Sequence, residues 1–165
     1  MKNPNIHTIS VLVANKPGVL VRIALVFARR GYNIDSLVVS PTVNEKYSRM
    51  TITAKGDPVT LEQIIKNADK LVDVIHCSEH DSTHSIEKEL ALFKIKASAA
   101  AKAFINKNNR KYRVKIDDSS DSHIVIEQTG TTSELDEFES LLKKYHLVEM
   151  VRTGKVLMAK GKEST

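Results

Sequence analysis

The stretch from Asn15 to Leu20 contains the residues whose types and spacing are best suited to bind a small ligand. It lies between a segment typical of a strand and a segment typical of a helix. The first turn of a helix leaves backbone N–H groups unpaired and partially positive, so it can hold a carboxylate without a basic side chain. Gly18 has no Cβ to keep a ligand from the backbone, and Asn15 adds an amide. The stretch predicts a carboxylate site or, as the alternative, an ordinary turn in which Asn and Gly serve the backbone geometry.

A second polar group, Asn33, opens the next predicted strand in the sequence Gly31-Tyr32-Asn33-Ile34. In a strand–helix–strand topology this strand begins near the far end of the helix. Asn33 is therefore expected to lie far from Gly18 within one subunit. Two subunits whose first helices pack antiparallel about a two-fold axis would bring Asn33 of one close to Gly18 of the other. The pattern is thus compatible with a ligand site that a dimer completes.

The other reactive side chains do not form a catalytic pattern. The six glycines never cluster into a phosphate-binding loop. Cys77 directly follows His76, and neighbours in a strand point to opposite faces, so we predict a buried thiol rather than a nucleophile–base pair. Asp117, Asp118 and Asp121 are interpreted as a solvated turn, with a site for a hard cation as the alternative. We therefore predict no catalytic residues.

The segment that contains His76, Cys77, His80 and His84 is the best candidate for a metal site. His80 and His84 would lie together if the segment were a helix. The intervening Asp-Ser-Thr favours a loop, and we interpret the segment as a linker without a metal.

Hydrophobic periodicity divides residues 1–78 into six elements in the order βαββαβ. Asp57 and Pro58 predict a helix start, as N-cap and first helical residue. Pro41 predicts the end of the second strand or an edge position. The apolar residues Val19, Leu20, Ile23 and Phe27 are predicted to share one face of the first helix. The predicted strands are 6–14, 32–43, 48–55 and 71–77, and the predicted helices are 17–30 and one beginning at 58.

The second half repeats this order after a polar segment. Thr131 with Glu134 three residues later forms a capping box that starts a helix. Asn108-Asn109 predicts the end of an alanine-rich helix. The fold class is α+β, with two ferredoxin-like βαββαβ domains in tandem, residues 1–78 and 87–165, joined by a linker at 79–86. A partner chain is expected to cover the bare sheet faces. The predicted strands are 89–97, 111–116, 123–128 and 147–152 with a further one at 155–159, and the predicted helices are 97–106 and one beginning at 131.

The charge of the chain is segregated along the second half. The 165 residues carry a formal charge of +5, and a hydrophobic fraction of 41% suits a packed core. Residues 86–116 hold 9 basic and 2 acidic side chains, net +7, whereas residues 117–149 hold 2 basic and 9 acidic ones, net −7. We interpret these blocks as faces that pair within the fold or across an interface. Nucleic-acid binding through the basic run from Lys107 to Lys115 is the alternative.

The single cysteine excludes an internal disulfide and indicates a reducing compartment. The first residues lack the apolar region of a signal peptide. No apolar stretch approaches the ~20 residues that a membrane-spanning helix needs. We therefore expect a cytoplasmic protein without membrane contact.

The residues around the predicted ligand site resemble a known module. The pattern strand–Asn15-Lys16-Pro17-Gly18-Val19-Leu20–helix–Gly31-Tyr32-Asn33-Ile34 resembles an ACT domain, a regulatory module that binds amino acids. More narrowly, several motifs are similar to the small regulatory subunit of acetolactate synthase, also called acetohydroxyacid synthase. These motifs are Arg30 to Leu37, Ser40-Pro41-Thr42, Ser48 to Ile52 and Leu71 to Val74, with weaker similarity at Glu89 to Ile95 and Gly130 to Leu135.

The resemblance implies a non-catalytic subunit of two domains. Residues 1–78 would form an ACT domain that binds the effector and forms a homodimer, and residues 87–165 a C-terminal regulatory domain. The subunit would enhance a separate catalytic subunit and confer feedback inhibition by valine in branched-chain amino-acid biosynthesis. Thiamine diphosphate, FAD and Mg²⁺ would reside on that catalytic partner, and this chain would hold no cofactor.

The resemblance also implies roles for individual residues. The N–H groups of Gly18 and Val19 would hold the valine carboxylate. The side chains of Asn15 and Asn33 would hold its ammonium and carboxylate groups, and Leu20 and Ile34 would line the slot for its isopropyl group. A stand-alone amino-acid sensor that acts on another target, including nucleic acid, is the alternative function. The expected valine-binding set is Asn15, Lys16, Pro17, Gly18, Val19, Leu20, Asn33 and Ile34.

Overall fold

The computed structural model describes residues 6–165, which divide into two compact units. The first unit contains the described residues up to Glu87 together with Lys155–Thr165, and the second is Lys88–Gly154. No helix among the described residues has the length and apolar character that crossing a membrane requires. In chain order the elements are β1 (Ile6–Ala14), α1 (Val19–Ala28), β2 (Ile34–Pro41), β3 (Tyr47–Lys55), α2 (Pro58–Asp69), β4 (Val74–His80), β5 (Ser85–Lys96), α3 (Ala99–Tyr112), β6 (Val114–Ser119), β7 (His123–Gly130), α4 (Thr132–Leu142), β8 (Leu147–Arg152) and β9 (Val156–Ala159).

The first unit is built on an antiparallel sheet with the strand order β2-β3-β1-β4. Alternate side chains of β1 and β3 share one core with α1 and α2, so both helices lie on the same face of the sheet. This arrangement confirms the predicted ferredoxin-like fold. Pro41 is the last residue of β2, which is an edge strand, so both expectations about this proline are confirmed. The shared core consists of Ile9, Val11, Val13, Val19, Ile23, Phe27, Met50, Ile52, Ala54, Leu61, Ile64, Ala68, Val74 and Cys77.

The start of α2 and the apolar face of α1 were both predicted from the sequence. Asp57 caps α2, because its Oδ1 accepts the Thr60 N–H at 2.8 Å, and Pro58 is the first helical residue, as predicted. The hydrogen bonds from Thr60 hold the pKa of Asp57 below its usual value. In α1, three of the four residues predicted to share one face are buried, namely Val19, Ile23 and Phe27, whereas Leu20 is 41% exposed.

The second unit repeats the plan with the strand order β6-β7-β5-β8, again antiparallel. The predicted capping box of α4 is confirmed: Thr131 N–H donates to Glu134 Oε2 at 2.7 Å, and Thr131 Oγ1 accepts the Glu134 N–H. This hydrogen bond from the Thr131 backbone lowers the pKa of Glu134. The core of this unit is separate from that of the first and contains Ala91, Phe93, Ile95, Ala101, Ile105, Tyr112, Val114, Ile124, Ile126, Leu135, Phe138 and Leu142.

Several predicted boundaries are wrong. Strand β5 begins at Ser85 and not at residue 89, and β6 begins at Val114 and not at residue 111, because the helix before it is longer than predicted. Helix α3 does not end at Asn108-Asn109 but continues to Tyr112. The Asn108 amide donates to the Phe104 carbonyl at 2.8 Å, so it bonds to the helix backbone instead of competing with it. Strand β4 begins three residues later than predicted because the chain first makes a tight turn, in which Val74 N–H donates to Leu71 O at 2.9 Å.

The segment predicted to be a linker, 79–86, is ordered structure in the first unit. Strand β4 runs to His80, β5 begins at Ser85, and a turn joins them. Asp81 organises this turn, because its carboxylate accepts hydrogen bonds from Thr83 and from the backbone of His84. The same hydrogen bonds hold the pKa of Asp81 well below its usual range.

The sheet face of the first unit that lies opposite its helices is polar. Thr8 and Ser10 of β1 lie on it and are 4% and 0% exposed. The sequence analysis expected a partner chain to cover this face. Residues of the chain's own C-terminal segment contact part of it, since Lys155 Nζ donates to Thr8 Oγ1 at 3.2 Å, and Arg49 bonds both Ser10 Oγ, at 3.3 Å, and the Thr165 carbonyl. Cover by a partner chain stays a prediction. Residues 155–165 are grouped with the first compact unit, and β9 within them also pairs with β5.

The segregated charges of the second unit partly pair with each other. Lys111 Nζ lies 3.1 Å from Glu137 Oε1, and Lys115 Nζ lies 2.7 Å from Asp117 Oδ1. Hydrogen bonds to Tyr112 and Glu137 raise the pKa of Lys111. These contacts support the interpretation that the basic and acidic blocks pair within the fold.

Cys77 faces the core of the first unit and is 8% exposed, so its predicted burial is confirmed. Burial, and secondarily the charge of Asp69, raises the pKa of the thiol to about 12. The thiol is therefore almost entirely protonated near pH 8, and the thiolate is the reactive form. We expect the native chain to resist Ellman's reagent for hours and to react within minutes in concentrated urea. Rapid labelling of the native chain would contradict this prediction.

Candidate functional site

Helix α1 begins after Gly18, whose φ of 81° lies in the left-handed region. No side chain caps this helix start, and its first turn contains no acidic residue. The other three α-helices of residues 6–165 are capped by Asp57, Ser98 and Thr131. The Val19 N–H makes only a long hydrogen bond, of 3.4 Å, to the Lys16 carbonyl, so the N–H groups in the first turn of α1 can serve an acceptor from outside the helix.

An open cavity of about 170 Å³ lies beside this helix start. One part of its wall is polar and comes from the turn at Asn15 and Lys16, and another part is apolar. Leu20, which the single chain leaves 41% exposed, belongs to the apolar wall. The cavity therefore suits a small ligand with one polar end and one aliphatic end. Its lining consists of Val13, Ala14, Asn15, Lys16, Val19, Leu20, Val39, Ser48 and Met50.

Asn15 is held in place by the turn between β2 and β3. Its Nδ2 donates to the Glu45 carbonyl at 2.9 Å, and its backbone N–H donates to the Lys46 carbonyl at 2.8 Å. Because the amide nitrogen already has a protein partner, Oδ1 is the atom of this side chain best placed to serve a ligand. An oxygen acceptor matches a ligand ammonium rather than a carboxylate.

Arg22 adds positive charge next to the start of α1. A Cβ placed on Gly18 would lie 3.3 Å from Arg22 Nη1, so the guanidinium lies close to the glycine. Arg22 is ion-paired with Asp73, and Lys16 Nζ lies 3.9 Å from the same carboxylate. The sequence analysis did not identify Arg22, although residues four apart are neighbours on a helix and Gly18 is four residues before it.

Asn33 and Ile34 do not line the cavity of their own chain. Asn33 Nδ2 donates to Asp35 Oδ1 at 3.3 Å, and Ile34 packs against the core. This placement agrees with the expectation that Asn33 lies away from Gly18 within one subunit. Their approach to the Gly18 turn of a second copy stays a prediction.

Five lining residues that the sequence analysis missed come from the strands: Val13, Ala14, Val39, Ser48 and Met50. The strand register brings them together, because Val13 pairs with Ser48 and Val39 pairs with Met50. The alternating pattern predicted these strands but not how they align. The turn that joins β2 to β3 sets the register of the two strands. Counting residues back from this turn along both strands would have predicted that Val39 pairs with Met50.

The histidines that were considered as metal ligands are spread over β4 and the following turn. His80 Nε2 bonds Ser78 Oγ at 3.0 Å, and His84 Nδ1 lies 3.1 Å from Asp81 Oδ2. Burial, followed by the charge of Arg49, lowers the pKa of His80. Within residues 6–165, no three His, Cys, Asp or Glu side chains come together in a way that could hold a metal ion.

Comparisons with known proteins agree on one family. A model described as "AHAS small subunit-like ACT domain" matches residues 9–76, and one described as "Small subunit of acetolactate synthase" matches residues 88–161. A probable acetolactate synthase small subunit of Archaeoglobus fulgidus is 43% identical over 155 residues, which cover 94% of this chain and 97% of that protein. The acetolactate synthase small subunit of Mycobacterium bovis is 38% identical over 159 residues, covering 96% and 95%. The crystal structure of the acetolactate synthase small subunit from Thermotoga maritima matches with a TM-score of 0.85 at 39% identity, covering 96% of this chain and 99% of that one.

Proposed function

Because this chain belongs to the family of acetolactate synthase small subunits, we propose that it is a non-catalytic regulatory subunit with valine as its feedback effector. It binds a separate catalytic subunit in the cytoplasm and raises the activity of that subunit. Valine, an end product of branched-chain amino-acid biosynthesis, binds the first unit and reverses this effect. Thiamine diphosphate, FAD and Mg²⁺ belong to the catalytic partner.

The observation that carries this proposal is the uncapped start of α1 at Gly18, next to a cavity with one polar and one apolar wall. The N–H groups of Gly18 and Val19 hold the valine carboxylate, and the nearby charge of Arg22 favours an anion there. Asn15 Oδ1 accepts a hydrogen bond from the ammonium group. Leu20 contacts the isopropyl group, which accounts for an apolar side chain on the surface of a single chain.

A second copy of the chain completes the site. The first units pair about a two-fold axis, so that Asn33 and Ile34 of one copy approach the Gly18 turn of the other. The Asn33 side chain then contacts the ligand carboxylate, and Ile34 encloses the isopropyl group together with Leu20. Half of the site comes from each copy, so valine stabilises one arrangement of the dimer.

Inhibition follows from a shift between two arrangements of this dimer. Valine binds more tightly to the arrangement that supports the catalytic subunit less well, and so increases its population. Coupling of this kind is reciprocal. Binding of the catalytic subunit must therefore change the affinity for valine by the same factor by which valine changes the affinity for the catalytic subunit.

The proposal is tested by mixing this chain with the acetolactate synthase catalytic subunit of the same organism. We expect the two to co-purify, acetolactate formation to rise on mixing, and valine to lower it towards the rate of the catalytic subunit alone. Calorimetry on this chain, with and without the catalytic subunit, tests the reciprocity. Alanine in place of valine serves as the control, because its methyl group leaves the apolar wall unfilled. A rate that does not respond to this chain would overturn the proposal.

A further inference from the structure

The chain leaves the first unit after Glu87 and returns to it at Lys155. These two residues form an ion pair, with Lys155 Nζ 2.8 Å from Glu87 Oε2. Each of the two side chains is only 15% exposed, so the pair is shielded from solvent. The ion pair therefore links the last residue before the second unit to the first residue after it, within the first unit.

The ion pair is also attached to β1. Lys155 Nζ donates to Thr8 Oγ1 at 3.2 Å, and Thr8 is 4% exposed. Strand β1 continues from Thr8 to Ala14 and leads directly into the turn of the candidate site. The Lys155 ammonium group thus contacts both Thr8 of this strand and Glu87, the last residue before the second unit. Lys155 itself is the first residue after the second unit.

The segment after Lys155 is fastened at further points of the first unit. The Lys160 N–H donates to the His84 carbonyl at 2.9 Å, and the Lys160 ammonium donates to the Thr83 carbonyl at 2.9 Å. Arg49 of β3 bonds the Thr165 carbonyl. Contacts of Lys160 and Thr165 thus hold the segment along its length. Lys160 is exposed, whereas the Lys155–Glu87 ion pair is shielded from solvent.

A shielded ion pair behaves differently from one on the surface. Removal of one partner leaves the other charge without compensation in a place from which water is largely excluded, so the structure around it must open to hydrate it. An exposed pair has no such consequence, because water replaces the lost partner. The Glu87–Lys155 pair is closed in the structure, and opening it requires that both charges become hydrated.

We propose that Glu87, Lys155 and Thr8 form a clasp that couples the effector-site strand β1 to the segments that enter and leave the second unit. While the clasp is closed, a shift of β1 on ligand binding also shifts both connections to the second unit. When the clasp is open, β1 and the candidate site keep their structure. A shift of β1 then no longer moves the segments that enter and leave the second unit. The regulatory part of this inference rests on the proposed function, and the mechanical part does not.

Hydrogen exchange on the full chain tests the mechanical part. In Lys155→Met the amides of residues 156–160 and of β1 near Thr8 are expected to exchange at least about tenfold faster than in the wild type, because an uncompensated shielded carboxylate favours opening. Lys162→Met removes the same charge from an exposed position of the same segment and is expected to leave exchange unchanged. The double variant Glu87→Lys/Lys155→Glu restores the pair and is expected to return exchange towards the wild-type rate. Unchanged exchange in Lys155→Met would overturn the clasp.

Inhibition assays on the complex with the catalytic subunit test the regulatory part. Lys155→Met is expected to bind valine within about threefold of the wild type by calorimetry, while the inhibition at saturating valine falls to less than about a third of that of the wild-type complex. The charge-swapped double variant is expected to recover inhibition. Faster exchange with inhibition unchanged would overturn the coupling role. If valine did not inhibit the wild-type complex at all, the proposed function would be wrong. The hydrogen-exchange experiment would still show whether the clasp exists.

Discussion

Replacing Gly18 by Asp is expected to weaken valine binding at least about 100-fold, or about 2.7 kcal/mol. The new side chain lies at the start of α1, where it obstructs the approach of the ligand carboxylate to the Gly18 and Val19 N–H groups. It also places a negative charge beside the ligand anion and near Arg22 Nη1, which the Gly18 Cβ approaches to 3.3 Å. The loss corresponds to one or two charge-assisted hydrogen bonds, each worth about 1.5–3 kcal/mol. Calorimetric titration of the chain with valine measures the effect directly.

Gly161→Asp is the matched control for this substitution. Gly161 has a φ of +70°, comparable to the +81° of Gly18, and a Cβ at this position meets nothing within 4 Å. Both variants add one negative charge and one side chain at a left-handed position, so backbone strain and net charge change alike. Wild-type affinity in Gly161→Asp with lost affinity in Gly18→Asp is the expected result. Equal affinity in Gly18→Asp and the wild type would show that the carboxylate binds elsewhere.

Replacing Phe138 by Ala is expected to lower the free energy of unfolding by about 3–5 kcal/mol. Phe138 is fully buried in α4 and belongs to an aromatic cluster in the second unit. Its ring centroid lies 5.7 Å from that of Phe93 and 5.1 Å from that of Tyr112. Truncation removes these contacts and leaves a cavity that a close-packed core cannot refill. Because the chain has no Trp, far-UV circular dichroism in urea is the suitable measurement.

Val148→Ala provides the comparison for the Phe138 substitution. Val148 lies in β8 of the same unit and is 53% exposed, so its truncation is expected to change the unfolding free energy by no more than about 0.5 kcal/mol. If Phe138→Ala cost less than about 1 kcal/mol, the aromatic cluster would not be the centre of this core.

The sequence by itself determined the features that depend on residues three or four positions apart. The cap of α2 by Asp57, the capping box of Thr131 with Glu134, and the glycine before α1 all follow from local backbone chemistry. Periodicity also determined the full extent of β1 and the βαββαβ order of each unit, because a pleated strand and a helix impose different spacings on apolar residues.

Only the tertiary structure decided which side chains meet across the fold. Met50 and Val39 reach the cavity through strand register, and periodicity alone does not specify register. Leu20 matches the apolar spacing of α1 yet lies outside the core, since a helical stripe is wider than the surface that the sheet covers. Lys155 pairs with Glu87 across 68 positions, so residues far apart in the chain meet at this point of the first unit. Local patterns carry no information about such a contact, because it exists only once both chain segments have packed against β1.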